Sequence, residues 1–186
     1  SYVGGSVFND SQFDRVRQSY PQSGSVFKPF IYASAFSGGY NPSSLINDAP
    51  IIFEDENLET FWRPENYSGK FYGLTTLREA LVQSINIVSI KLLREIGIKK
   101  SSETIDNFGF GTERLPQDLS LALGSGNFSP AEVARGFSVF ANGGMISDIH
   151  YVSQIKDKNG DIIFDHSEED VVNISSISAF PWLNTI

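Results

Sequence analysis

Two short polar groupings in this 186-residue chain are of types that could do covalent chemistry: Ser25-Val26-Phe27-Lys28 and Ser84-Ile85-Asn86. A serine hydroxyl becomes a nucleophile only when a neighbour takes its proton. A lysine amine does so only when neutral, a state that desolvation among apolar side chains promotes. Val26, Phe27, Phe30 and Ile31 would supply that setting. Residues three apart on a helix share a face, with Cβ atoms about 5 to 6 Å apart, so Ser25 and Lys28 can meet if the segment is helical. A serine in a first turn also lies among free backbone N–H groups, where an oxyanion gains hydrogen bonds and a favourable dipole. The plainer reading of the same pair is a helix cap at Ser25, with Lys28 reaching out to water. The spacing itself is cheap, because about one such pair is expected by chance, and Ser153 with Lys156 repeats it. On a strand, i and i+3 point to opposite faces; Ser153 and Lys156 lie in a hairpin pattern and are discounted.

Ser84-Ile85-Asn86 also has a double, Ser125-Gly126-Asn127. Residues two apart diverge on a continuous helix, so Ser84 and Asn86 present both polar groups to one place only if the chain breaks there. An ordinary helix junction is the alternative. Where the break exists, a hydroxyl and a carboxamide at a corner could relay a proton and hold a peptide amide.

The elements that must position these groups follow from pattern. Residues 25 to 36 are apolar on too many sides for a surface helix, predicting a buried helix that ends near Gly38 and Gly39. Tyr2 to Phe8 reads as the end of a strand. Residues 9 to 24 read as a connection with a short helix around Phe13 to Gln18, and residues 40 to 73 as a long ordered excursion with short strands near 50 to 53. Thr76 and Glu79 form a capping-box pattern ahead of a helical stretch reaching Gly97, broken at "SINIV", where Ser, Asn and β-branched residues lower helix propensity together. A further helix runs from Ser101 or Ser102 to Phe108. Another starts at Ser129-Pro130 with Glu132 and stops at Gly143 and Gly144, and "YVSQIKDKNGDIIFDH" forms a hairpin around Asn159-Gly160. The tail from Glu168 to Ile186 has no decidable pattern.

Composition narrows the partners. A net charge of -8 repels phosphate backbones and anionic lipid, which argues against nucleic acid. With no cysteine, thiolate catalysis, disulfides and Cys-based zinc sites are excluded. His150 and His166 lack a second His at helical spacing, so no metal site is expected, and no cofactor is called for. No apolar run reaches the roughly 20 residues of a membrane span. The chain does not begin with Met, and its strand-like opening suggests an excerpt of something longer.

Taken together, these residues resemble the transpeptidase domain of class A penicillin-binding proteins, in the penicilloyl-serine transferase and serine β-lactamase-like superfamily. The likeness extends beyond "SVFK" and "SIN" to "SQFDRVRQ", "FWRPENYSGKFYGLTTLREALVQSINIVSIKLL" and "LPQDLSLALGSGNFSPAEVARGFSVFANGG", most of residues 1 to 145. It implies an α+β, β-lactamase/transpeptidase-like fold, an antiparallel sheet with a helical subdomain, here incomplete with its C-terminal strands missing. Residues 1–186 would be a partial penicillin-binding transpeptidase domain, with the helical subdomain at about 25–145 and a hairpin at about 151–165.

The resemblance implies roles as well. Ser25 would attack the penultimate D-alanine carbonyl of a stem peptide ending D-Ala-D-Ala, and β-lactams would acylate the same hydroxyl. Lys28 would be the base, Ser84 would pass the proton to the leaving amine, and Asn86 would orient Lys28 and the substrate backbone. The backbone N–H of Ser25 would be half of an oxyanion hole. Peptidoglycan stem peptides on lipid-linked glycan strands and β-lactam antibiotics are the implied partners. The implied location is extracytoplasmic, on the periplasmic side of the bacterial inner membrane, with a membrane anchor and glycosyltransferase domain in the full-length protein.

One departure bears on activity: the family's third motif, Lys-Ser/Thr-Gly, occurs nowhere in the 186 residues, so this chain alone is expected to be inactive. "PQSGS" also differs from the commoner Gln-Pro-Gly-Ser approach to the nucleophile. A class A β-lactamase would add a Glu-x-x-Leu-Asn pattern, for which the chain has no convincing match. A DD-carboxypeptidase and a non-catalytic penicillin-recognising sensor or binding module are the competing readings.

Overall fold

The apolar run behind Ser25 folds as α1, Lys28–Ser37, and every residue from Phe30 to Phe36 is buried. This is the central helix of the computed structural model, which describes residue 7 and residues 9–55, 60–166 and 172–173. Pro29 fits its first turn, where early N–H groups have no intrahelical acceptor. Around α1 pack α2 (Leu77–Val82), α3 (Asn86–Ile96) and α4 (Ile98–Asp106). A set of phenylalanines closes its start: Phe30 lies 4.7 Å from Phe110 and 5.2 Å from both Phe27 and Phe108, centroid to centroid. Phe27 also stacks on Phe128 at 5.5 Å. Fully buried aromatics of this kind dominate core energetics. Because Phe27 lies between Ser25 and Lys28 in sequence, its burial anchors that segment to the core.

The long excursion is closed by a ladder. β1 (Leu45–Asp48) pairs antiparallel with β4 (Gly73–Thr76), Leu45 opposite Thr76 and Asp48 opposite Gly73. Inside it, β2 (Phe53–Asp55) pairs with β3 (Thr60–Trp62). The strand expected near 50 to 53 is thus β2, which begins at Phe53; Pro50 has no N–H to offer a ladder. Among the described residues the strands form four separate two-stranded antiparallel ladders. The others are β5 (Met145–Ile146) with β8 (Val172–Asn173) and β6 (Gln154–Lys156) with β7 (Ile162–Asp165).

The last of these is the expected hairpin around Asn159-Gly160. Its loop is longer than the two-residue turn of that dipeptide: Asp157 N–H donates to Asp161 O, and the Asp157 carboxylate accepts Asn159 and Asp161 N–H. Helix α5 (Pro130–Ala141) starts on a full Ser129/Glu132 capping box, as its sequence predicts. At α2, Thr76 Oγ1 accepts Glu79 N–H at 3.2 Å. Two expected helices are corrected. Residues 13 to 18 form only a turn, because the Asp14 carboxylate takes the Val16 and Arg17 N–H groups and offers the backbone an alternative to helix. The helix expected from Ser101 or Ser102 begins earlier, at Ile98, where Gly97 at φ +91° reverses the chain; Ser101 and Ser102 are buried inside it. The strand expected at Tyr2 to Phe8 lies outside the described residues except for Val7, as does the tail except for 172–173.

Candidate active site

The nucleophile candidate does not start an α-helix directly. Residues Gly24–Phe27 form a 3-10 turn, Lys28 N–H donates to Ser25 O, and α1 begins at Lys28. Neither Ser25 nor its neighbour Ser23 makes a side-chain cap, so the plainer reading of Ser25 as a capping residue does not describe it. Ser25 is exposed whereas Lys28 is 1% exposed.

The corner expected at "SIN" is present between α2 and α3. Ser84 sits at φ +53°, a left-handed conformation that costs a non-glycine residue about 1 to 2 kcal/mol. Ile85 is then extended as the residue before α3, and its N–H reaches back to Ala80 O at 2.8 Å. This reversal brings both polar groups of the triplet to Lys28. Lys28 Nζ donates to Ser84 O at 2.6 Å, to Ser84 Oγ at 3.0 Å and to Asn86 Oδ1 at 2.8 Å. Those are the three donors an ammonium has. Lys28 thus does not snorkel to water; it turns inward across to the corner, and no hydrogen bond joins it to Ser25 Oγ.

Burial lowers the Lys28 pKa from its ordinary 10.5 to about 8, because the charged form loses hydration. Since the folded chain binds this proton less tightly than the unfolded one, the cost of burying the charge is in full force below pH about 8 and is relieved as pH rises toward 10.5.

A second support was not legible beforehand. Residues 124 to 128 run beside the approach to Ser25: Ser23 N–H donates to Gly126 O at 3.1 Å, Gly24 N–H to Gly124 O at 2.9 Å and Phe128 N–H to Pro21 O at 3.2 Å. Gln22 and Asn127 form an antiparallel bridge. Ser125-Gly126-Asn127, which matches the corner triplet in spacing, therefore lies against the Ser25 turn as an extended backing segment. Gly124 has φ +71°, and a Cβ there would fall 1.9 Å from Gly24 O. Gly124→Ala is expected to displace the Ser25 turn and to slow any acylation of the Ser25 hydroxyl at least about tenfold. A rate equal to wild type, measured by stopped flow, would show that the backing segment does not position Ser25.

Among the described residues, no group of His, Cys, Asp and Glu is placed to hold a metal ion, and no helix is long and apolar enough to cross a membrane. The Ser153–Lys156 pair lies at the start of the exposed β6–β7 hairpin.

Comparison with known proteins shows the family to which the chain belongs. A family model described as the penicillin binding protein transpeptidase domain matches residues 2–180. The chain is similar to penicillin-binding protein 1A of Pseudomonas aeruginosa, with 44% identity over 164 residues, 88% of this chain and 20% of that protein. Against penicillin-binding protein 1A of Vibrio cholerae the identity is 43% over 162 residues, 87% of this chain and 20% of that one. The chain thus spans about a fifth of the length of these curated relatives. Among solved structures, penicillin-binding protein 1A from Haemophilus influenzae superposes with a TM-score of 0.82 at 37% identity, covering 88% of this chain and 24% of that chain. PonA1 from Mycobacterium tuberculosis shares the fold, with a TM-score of 0.78 at 20% identity over 94% of this chain and 48% of that chain.

Proposed function

The chain belongs to the penicillin-binding protein transpeptidase family, and from that premise we propose that it carries the acyl-transfer half of a peptidoglycan DD-transpeptidase site, with Ser25 as nucleophile. In this reading residues 1–186 are part of the transpeptidase domain. The site works on the periplasmic side of the inner membrane, in a protein that also carries an anchor and a glycosyltransferase domain. The observation that carries the proposal is the buried, desolvated Lys28 held against Ser84 and Asn86 one turn from an exposed serine.

The chemistry follows from the proton inventory. Protonated Lys28 uses all its N–H groups on the corner and has no lone pair. When it loses one proton it keeps two donors for the corner and gains a lone pair for the Ser25 hydroxyl. Ser25 Oγ then bonds to the penultimate D-alanine carbonyl carbon as its proton passes to Lys28 Nζ. The oxyanion meets the Ser25 backbone N–H. As the C–N bond breaks, Ser84 relays the proton from Lys28 to the departing amine, leaving an acyl-enzyme and free D-alanine. An acceptor amine attacks the ester and regenerates Ser25, and a β-lactam stops at the ester because its leaving group stays attached. Asn86 is placed to orient Lys28. Its Nδ2 already donates to Glu65 O at 2.9 Å, so any contact of that amide with substrate would replace or share this one.

A base with a pKa of about 8 makes a definite forecast. At pH 7 about one Lys28 in ten is neutral and at pH 9 about nine in ten, so the second-order rate of acylation by a fluorescent penicillin should rise about tenfold over that interval and level off. The measurement is a stopped-flow pH profile on the full natural protein. A flat profile between pH 6 and 10 would remove Lys28 as the base. Product analysis with and without an acceptor amine separates transpeptidation from simple carboxypeptidase release of D-alanine.

A further inference from the structure

Asp48, on β1, is 1% exposed and Asn66, in the excursion, 6% exposed. Neither belongs to the triplets that carry the chemistry. Asn66 Nδ2 donates to both Asp48 carboxylate oxygens at 2.9 Å and to Lys70 O at 2.9 Å. The second Asp48 oxygen also accepts Tyr72 N–H at 2.9 Å. With its nitrogen thus committed, the amide oxygen can face only one way, and it accepts the first two free N–H groups of α3, from Asn86 at 3.0 Å and Ile87 at 3.1 Å. The neighbouring Glu65 O takes Asn86 Nδ2, which leaves Asn86 Oδ1 as the end of that side chain turned to Lys28. Two successive residues therefore grip Asn86 by its backbone and by its side chain. The strand beneath is itself tied to α3, since Lys91 Nζ donates to Asn47 O at 2.7 Å and Ala49 O at 3.0 Å, on either side of Asp48.

We propose that Asn66, held by the buried Asp48 carboxylate, is a positioning residue for acyl transfer: it fixes the first turn of α3 and so aims Asn86 Oδ1 and the adjoining Ser84 hydroxyl at Lys28. An ordinary helix start takes its cap from the residue just before it. Here that residue is Ile85, which has no side-chain acceptor, and Ser84 is in a left-handed conformation. The corner consequently depends on an acceptor brought from 20 residues away. The inference rests on the reading of Ser25 as the acylated residue.

The test uses the full natural protein and a fluorescent penicillin, and reads two quantities: the number of sites labelled at saturation and the rate constant of the covalent step. Asn66→Ala should label to the wild-type stoichiometry with a rate constant at least about tenfold lower. Asp48→Asn, which keeps the shape but weakens the clamp, should slow labelling about threefold and serves if the alanine variant does not fold. Asn66→Asp alone sets two carboxylates together and should be as slow as Asn66→Ala. The double variant Asp48→Asn/Asn66→Asp restores a donor–acceptor pair with the polarity reversed and should return the rate to within about threefold of wild type. A fall in labelled sites with an unchanged rate constant, or unchanged behaviour of Asn66→Ala and Asp48→Asn, would overturn the proposal while leaving Ser25 as the nucleophile. Failure of the wild-type protein to label at Ser25 would overturn the functional reading and this inference with it.

Discussion

Ser25→Ala is expected to abolish covalent penicillin binding and peptide cross-linking, a loss of at least about a thousandfold in rate, with little change in stability. The two halves of that expectation have separate causes. Removing the hydroxyl removes the atom proposed to form the ester, and neither Lys28 nor Ser84 is placed to replace it: Lys28 is turned inward to the corner, and Ser84 Oγ accepts from it. The side chain itself is exposed and caps no helix, so its loss should shift unfolding by no more than about 0.5 kcal/mol. Denaturant titration and non-covalent inhibitor binding should therefore match wild type. A variant that unfolds early would indicate a structural duty for Ser25 that its contacts do not show.

Lys28→Met should lower the acylation rate by about a hundredfold to ten-thousandfold, the usual worth of a positioned proton acceptor, and should leave a profile without the rise through pH about 8. Its effect on stability is the balance of two opposed terms. A lowering from 10.5 to about 8 corresponds to about 3 kcal/mol of charge burial that the methionine no longer suffers. Against this, Ser84 O, Ser84 Oγ and Asn86 Oδ1 lose their common donor; Ser84 is exposed and Asn86 half-buried, so water can meet these oxygens and the loss should be about 1 to 3 kcal/mol for the three together. The net should lie within about 2 kcal/mol of zero, as is common when a buried charge gives way to an apolar side chain of similar volume. Activity lost with stability retained would separate a catalytic lysine from one that merely fills the core. A variant retaining near wild-type acylation would exclude Lys28 as the base.

How far the site was legible depended on the range over which its residues interact. The Ser129/Glu132 capping box and the break at "SINIV" rest on rules acting within a few residues, and the structure shows α5 and the α2–α3 corner where those rules place them. The buried helix after Ser25 was legible from the apolar residues surrounding Lys28. Contacts between distant segments were not. Ser125-Gly126-Asn127 carries the same spacing as the corner triplet, and only the backbone pairing of residues 21–24 with 124–128 shows that one is a helix corner and the other an extended backing segment. Asn66 reads locally as a turn residue between Pro64 and Gly69, and nothing in that neighbourhood points to α3. The one available signal was indirect: a helix beginning at Asn86 behind Ile85 has no local cap, so its N–H groups had to find an acceptor elsewhere. The helix expected at 13 to 18 failed for the converse reason, since a single Asp14 carboxylate outcompeted a weak helical pattern.

The identity of the acylated atom decides between Ser25 as nucleophile and every other role for it. The most direct measurement labels the full natural protein with a mass-tagged penicillin, digests it and locates the adduct by tandem mass spectrometry. One adduct per chain, on the peptide containing Ser25 and absent from Ser25→Ala, is the result predicted. An adduct on any other residue, or labelling of Ser25→Ala at the wild-type rate, would contradict it.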